Sequence, residues 1–131
     1  MAGEAFAFTK LVVHDLEKSA TFYRDAYGLH AVRRVREQIG DEEIDEIMLS
    51  ADPHAAFGSL VLLKYLGRGA PPTGELLLGF TTHDLPALLD RIRAAGGRVS
   101  VPMRELPELR LRAAFAADPE GHLAELVQLL A

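Results

Sequence analysis

An internal repeat limits the folds open to this chain more than any other feature of its sequence. The tripeptide His-Asp-Leu occurs at residues 14–16 and again, 69 residues later, at 83–85. The same offset places Gly28 on Gly97. Self-similarity at a fixed spacing indicates a duplicated supersecondary unit. The sequence therefore predicts two copies of one structural module.

Each half of the chain carries the same order of periodic segments. Residues 6–13 alternate in the manner of a β-strand, and the apolar residues that follow recur at helical spacing before further strand-like runs. The order repeats after residues 67–74, which are too rich in glycine and proline to continue a helix or strand. We therefore predict an α+β fold with two βαβββ modules, at about residues 5–66 and 75–131, in a single domain spanning residues 1–131.

One predicted hairpin concentrates much of the charge of the first module. Its strands are expected at residues 30–36 and 44–50, joined by an acidic tip at residues 37–43. We expect the arginines at 33, 34 and 36 to form a solvated surface opposite the acidic segment 37–46. The alternative is that these arginines bind an anionic ligand. In each predicted module the helix covers one face of the sheet, and the other face also carries apolar side chains. We therefore expect curved mixed sheets that surround a cavity.

Composition narrows the classes of partner. The chain has 131 residues, is 49% hydrophobic and 25% charged, and carries a net charge of −5 without a sustained basic run. Nucleic acid is therefore not expected as a partner, because phosphate binding needs clustered lysine and arginine. The absence of a long apolar segment and of a basic leader predicts a cytoplasmic protein with no membrane contact. The lack of cysteine excludes disulfides and thiolate metal sites, and a small molecule becomes the expected partner.

Glu125 is the most informative single residue. It interrupts the apolar run 123–130, which follows the turn Asp-Pro-Glu-Gly at residues 118–121. A side-chain period of two places Glu125 on the same side as Leu123 and Val127. A carboxylate on such a surface can contact a ligand, act as a general base or pair with a neighbour, and the sequence leaves these three roles open.

Several motifs together resemble the vicinal oxygen chelate superfamily, which contains glyoxalase I, bleomycin resistance proteins and extradiol dioxygenases. They are Asp-Leu-Glu-Lys-Ser at residues 15–19, Phe-Tyr-Arg-Asp at 22–25, Tyr-Gly-Leu at 27–29, and Asp-Pro-Glu-Gly-His at 118–122 with Glu125-Leu126. The resemblance covers nearly the whole chain. It implies paired βαβββ modules, a homodimer and a shared cavity.

The resemblance also implies where a divalent metal would be held in the metalloenzymes of the superfamily. The four positions fall on Phe8, Leu62, Leu77 and Glu125, and only Glu125 has an atom that can coordinate a metal. We therefore expect no metal cofactor, with a divalent metal as the alternative. The expected ligand-binding residues are Phe8, Leu62 and Leu77 as an apolar floor and Glu125 as a fixed charge, with Lys10 as a further polar contact.

Two functions follow from this comparison. One is a metal-free binding protein that resembles bleomycin resistance proteins and holds an apolar or aromatic antibiotic or metabolite. The other is a lyase, isomerase or dioxygenase of the same superfamily. It would use either a metal held by other ligands or Glu125 as a catalytic base. Whether the protein is an enzyme stays open at this level.

Overall fold

The computed structural model describes residues 3–131 and contains two four-stranded mixed sheets and two α-helices. The predicted α+β fold with a duplicated βαβββ order is confirmed. The elements are β1 (Thr9–Val12), α1 (Leu16–Tyr27), β2 (His30–Ile39), β3 (Glu42–Ser50), β4 (Leu60–Tyr65), β5 (Leu77–Thr81), α2 (Leu85–Ala94), β6 (Arg98–Leu106), a short 3₁₀ helix (Pro107–Leu109), β7 (Leu111–Ala117) and β8 (Leu123–Leu129).

The two sheets share one topology, as the repeat predicts. The strand order is β1-β4-β3-β2 in the first sheet and β5-β8-β7-β6 in the second. In each sheet the first strand runs parallel to the fourth, and the other neighbours are antiparallel. A parallel pair needs a crossover connection, and α1 or α2 begins each of these crossovers.

Backbone contacts divide the chain into two compact units. The first contains residues up to Ala20 together with Leu29–Pro71, and so holds β1 to β4. The second contains Thr21–Gly28 together with the chain from Pro72 onward, and so holds β5 to β8 and α2. No helix within residues 3–131 is both long enough and apolar enough to span a membrane.

Local sequence signals account for the ends of the helices. Asp84 caps α2, because its side chain accepts a hydrogen bond from the Ala87 backbone N–H at 3.1 Å. Asp15 makes the equivalent contact with the Lys18 N–H at 3.0 Å. Gly28 follows α1 with a φ of 73°, a left-handed conformation that glycine adopts without strain.

Two predicted boundaries are wrong. The first strand covers Thr9–Val12, so residues 6–8 lie before it. The hairpin strands β2 and β3 extend to Ile39 and back from Glu42, so most of the predicted acidic tip is paired strand. Cross-strand hydrogen bonding carries these charged residues into the ladder despite their low strand propensity.

The register of sheet 1 assigns its side chains to two faces. Paired residues share a face, so Leu11, Leu62 and Ile47 lie on one side with Asp45. Arg34 belongs to this side and bonds both Asp45 and Glu17 of α1. This side is therefore the helix face of sheet 1.

The other side of sheet 1 is named here the far face. It carries Lys10, Val61, Met48, Leu63 and Glu46. Val61 and Leu63 are buried, as are Met48 and Glu46. Apolar side chains on both sides make β4 the interior strand that its nearly continuous hydrophobic sequence predicts.

Sheet 2 has the same two-sided arrangement. Gln128 lies on its helix face, where its side-chain oxygen accepts a hydrogen bond from the first N–H of α2 at 2.9 Å. Phe80 is also on this side and stacks on Tyr27 with ring centroids 4.0 Å apart. The far face of sheet 2 carries Leu77 and Glu125.

Candidate ligand-binding surface

An aromatic pair lies just before β1, next to Lys10 on the far face of sheet 1. The rings of Phe8 and Phe57 have centroids 5.4 Å apart and are tilted by 43°. Phe8 is 36% exposed and Phe57 is 52% exposed, which is unusual for large apolar side chains in contact with each other. Together they form an accessible aromatic surface beside β1.

Lys10 joins this aromatic pair to a buried carboxylate. Its ammonium lies 5.7 Å from the centre of the Phe8 ring and 2.7 Å from Oε2 of Glu46. The side chain of Glu46 is only 5% exposed, whereas that of Lys10 is 34% exposed. Glu46 Oε2 makes no well-aligned hydrogen bond to any residue from 3 to 131, so the close charge contact with Lys10 is what offsets its burial.

The acidic segment 37–46 ends in two buried carboxylates, Asp45 and Glu46. Asp45 is 2% exposed and accepts two hydrogen bonds from Arg34, at 2.9 and 3.2 Å. Hydrogen bonding to Arg34 holds the pKa of the Asp45 carboxyl below its ordinary value. Arg34 and Arg36 both contact this carboxylate, so their immediate role is within the sheet.

Leu62 lies on the helix face of sheet 1, where it is fully buried. Lys10, whose ammonium contacts the Phe8 ring, lies on the far face. The far-face residues of β4 are Val61 and Leu63, one position away on either side. Leu62 and these two neighbours therefore lie on opposite sides of the sheet, because adjacent residues of a strand point to opposite sides.

The far face of sheet 2 carries both Leu77 and Glu125. Leu77 pairs with Leu123 and Gly79 pairs with Glu125, so both predicted residues point to one side of the parallel strands β5 and β8. Leu77 is 51% exposed, and Glu125 is half-buried beside Phe115 on β7. Glu125 makes no hydrogen bond or ion pair with any of residues 3–131.

The side chains at the four positions implied by the resemblance do not fit a divalent metal. Phe8 and Leu77 have no lone pair to donate to a metal. Leu62 has none either, and its far-face neighbours Val61 and Leu63 also lack a coordinating atom. Among the described residues, no group of three or more histidine, aspartate or glutamate side chains is arranged to hold a metal ion. Glu125 alone cannot complete a coordination shell.

The turn at residues 118–121 has a structural role. Oδ1 of Asp118 accepts hydrogen bonds from the backbone N–H groups of Glu120 and His122, both at 2.9 Å. Its other oxygen accepts the buried hydroxyl of Tyr23 at 2.8 Å. Burial, and then the nearby Asp118 carboxylate, raises the pKa of Tyr23, so the phenol stays protonated and donates. The turn predicted from sequence is confirmed, but its hydrogen bond to Tyr23 was not predicted.

Sequence reasoning missed Glu46 and Phe57. A signal existed for Glu46, because a period of two within β3 places it with Ile44 and Met48 on one side. Its position next to an acidic run obscured that signal. Phe57 lies in an irregular loop, where neither period predicts which way a side chain points, and its contact with Phe8 is visible only in the structure.

Comparison with known proteins agrees with this architecture. A protein from Synechocystis named probable lactoylglutathione lyase is 30% identical over 125 residues, covering 92% of each chain. A lactoylglutathione lyase of Arabidopsis thaliana is 26% identical over 118 residues, and this chain spans only 41% of its length.

Solved structures share the fold. A glyoxalase family protein from Bacillus cereus aligns with a TM-score of 0.82 at 18% identity, covering 100% of this chain and 99% of that one. A mutant of glyoxalase I from Zea mays aligns with a TM-score of 0.77 at 25% identity, covering 93% of this chain and 45% of that one. A sequence model of one superfamily matches residues 5–126, nearly the whole chain. The chain therefore belongs to the Glyoxalase/Bleomycin resistance protein/Dioxygenase superfamily.

Proposed function

We propose that this protein binds a small molecule without a metal ion and holds an apolar or aromatic ligand, such as an antibiotic or a metabolite, on the far face of a sheet. The observation that carries the proposal is the side-chain chemistry at the family's metal positions. Phe8 immediately precedes β1, Leu77 begins the corresponding strand β5, and neither side chain can coordinate a metal. Both are accessible, so they offer apolar contact where a metalloenzyme would place ligands.

Each far face also has the composition typical of a small-molecule site. Such sites are mainly apolar and contain a few polar groups that orient the ligand. Sheet 1 supplies Phe8 and Phe57 with the Lys10–Glu46 ion pair. Sheet 2 supplies Leu77 and Phe115 with Glu125. We further propose that residues 1–131 act as one domain in a cytoplasmic homodimer, since the outer strands of each sheet have edges that can pair.

An enzymatic function is the second candidate, and two observations favour it. Relatives of this chain are named as lactoylglutathione lyases. Glu125 is a half-buried carboxylate without a partner among residues 3–131, as a general base would be before its substrate binds. In this case the protein would use Glu125 for proton transfer or a metal held by residues outside the four family positions.

Two measurements separate these functions. Elemental analysis of protein purified without chelators should find no stoichiometric transition metal after dialysis, and a retained Ni, Zn, Fe or Mn would refute metal-free binding. The hemithioacetal of methylglyoxal and glutathione is the substrate for the second measurement. We expect the wild-type protein not to turn this substrate over. Turnover that is lost in Glu125→Gln but kept in the exposed control Glu108→Gln would establish an enzymatic function.

A further inference from the structure

We propose that the ligand of this surface combines an aromatic ring with a negatively charged group, and that Phe8 and Phe57 bind the ring while Lys10 binds the charge. This inference rests on the proposed function, since it names the chemical class of ligand for the same surface. The three side chains belong to one unit of the structure and contact one another directly or through the Phe8 ring.

The ammonium of Lys10 lies at the boundary between the buried and the accessible part of the far face. On its inner side it contacts Oε2 of Glu46 at 2.7 Å. On its outer side it lies 5.7 Å from the centre of the half-exposed Phe8 ring. An ammonium has three N–H donors, and the 2.7 Å charge contact with Glu46 can occupy at most one of them. The remaining donors are available to an incoming acceptor next to the aromatic pair.

The arrangement favours an anion over a cation. Glu46 has a side-chain exposure of 5%, so a ligand on the surface meets Lys10 before it meets the carboxylate. A cationic ligand would have to displace Lys10 and leave its ammonium without its partner. An anionic ligand instead adds a second acceptor to an ammonium that Glu46 already holds in place, and this pre-organisation lowers the entropic cost of binding.

The aromatic part of the ligand follows from the two phenylalanines. Their tilted contact leaves ring surface accessible on both, with Phe57 52% exposed. Offset or edge-to-face contact with a third ring is favourable at such a surface. A planar ring bearing a carboxylate or a comparable anion can therefore reach the phenylalanines and Lys10 together.

Three probes with one ring system and different charges test this inference. Naphthoate is anionic at neutral pH, naphthalenemethanol is neutral and naphthylmethylamine is cationic. Isothermal titration calorimetry should give an affinity for naphthoate about tenfold higher than for naphthalenemethanol, with the amine weakest. Equal affinities, tighter binding of the amine, or binding of none of the three would overturn the inference.

Two variants isolate Lys10 without leaving a buried charge unpaired. Lys10→Met combined with Glu46→Gln removes both charges, so the preference for naphthoate should disappear while the neutral probe still binds. Glu46→Gln alone keeps the ammonium, so the preference should stay at or above the wild-type ratio. Circular dichroism and thermal melting confirm that each variant is folded. Retention of the preference by the double variant would refute a role for Lys10.

A third variant locates the ring. Phe57→Ala should lower the affinity for all three probes by a similar factor of about five, since it removes ring contact and no charge. Ile39→Ala is the matched control, because Ile39 is an exposed apolar residue at the hairpin end of β2. If all three probes bind equally and Phe57→Ala weakens their binding, the preference for an anionic ligand is refuted while the proposed function stands. A stoichiometric metal would instead refute the proposed function.

Discussion

The hydroxyl of Tyr23 offers the sharpest test of how the Asp118 turn is held. Tyr23→Phe removes one oxygen and retains the aromatic ring, which is almost completely buried in contact with Phe22 and Tyr27. The change deletes the 2.8 Å hydrogen bond to Oδ2 of Asp118 and nothing else that the structure shows. Its effect on stability therefore reports on that hydrogen bond.

The size of the effect follows from what remains around Asp118. Oδ1 keeps its hydrogen bonds from the Glu120 and His122 N–H groups, at 2.9 Å each, while Oδ2 loses the donor supplied by Tyr23. A hydrogen bond to a charged group contributes about 1.5–3 kcal/mol. Since Asp118 stays partly satisfied, we expect the free energy of unfolding to fall by about 2 kcal/mol.

Urea denaturation measures this loss, and Tyr27→Phe is the matched control. Tyr27 lies on the same helix, stacks on Phe80, and makes no hydrogen bond through its hydroxyl to any of residues 3–131. Tyr23→Phe should lower the urea midpoint by about 1 M, while Tyr27→Phe should change the free energy by less than about 0.5 kcal/mol. Equal effects of the two substitutions would refute the assignment of this hydrogen bond as the stabilising contact.

The same residue predicts a dependence on alkaline pH. Burial and the Asp118 carboxylate raise the pKa of Tyr23 in the folded protein. Above about pH 10 the unfolded chain releases the Tyr23 proton while the native state keeps it, so the native state binds more protons and stability falls as pH rises. Tyr23→Phe lacks this contribution. The stability difference between wild type and variant should therefore be full below about pH 10 and shrink above it; a constant difference would contradict the reasoning.

Two further pairs of substitutions test the packing of each unit, with urea denaturation as the measurement. Asp45→Asn should lower the free energy of unfolding by about 2 kcal/mol, because it removes the carboxylate that accepts two hydrogen bonds from Arg34. The exposed Asp90→Asn should cost less than about 0.5 kcal/mol, and equal effects would refute the buried role. Because the pKa of Asp45 is lowered in the native state, its contribution is present above about pH 4 and is lost as pH falls through that lowered pKa, so Asp45→Asn should approach wild type in acid. Gly97→Ala should lower the free energy of unfolding by about 2 kcal/mol, since its Cβ would lie 2.6 Å from a backbone oxygen. Gly79→Ala has open space around its Cβ and should leave stability nearly unchanged. An unchanged stability of Gly97→Ala would contradict the close packing.

Short-range signals in the sequence determined the order of the elements and the ends of the helices. Asp84 caps α2 through a residue three positions away, and Asp118 organises its turn through residues two and four positions away. Contacts of this kind depend on local chain geometry, so the residue types alone predict them. The repeat then predicted the shared topology, because one module order implies one set of strand pairings.

Strand ends were less predictable. Glu37, Glu42 and Glu43 carry charged side chains that disfavour strands, yet the ladder of β2 with β3 includes them. Residues 6–8 have strong strand character but lie before β1. Strand formation depends on a partner backbone that local propensity does not describe.

The residues that face a ligand depended on tertiary structure. Sequence proposed Leu77 and Glu125 as contacts of one ligand, and the strand register puts both on the far face of sheet 2. Sequence also proposed Leu62, but a shift of one residue reverses the face of a strand, and only the register shows that Leu62 lies on the helix face of sheet 1. Sequence could not show that Glu46 is buried and held by Lys10, because those side chains meet across β4 from strands distant in the sequence. The family and the fold were thus determined by local patterns and their repetition, whereas the chemistry of the far face was decided by strand register and burial.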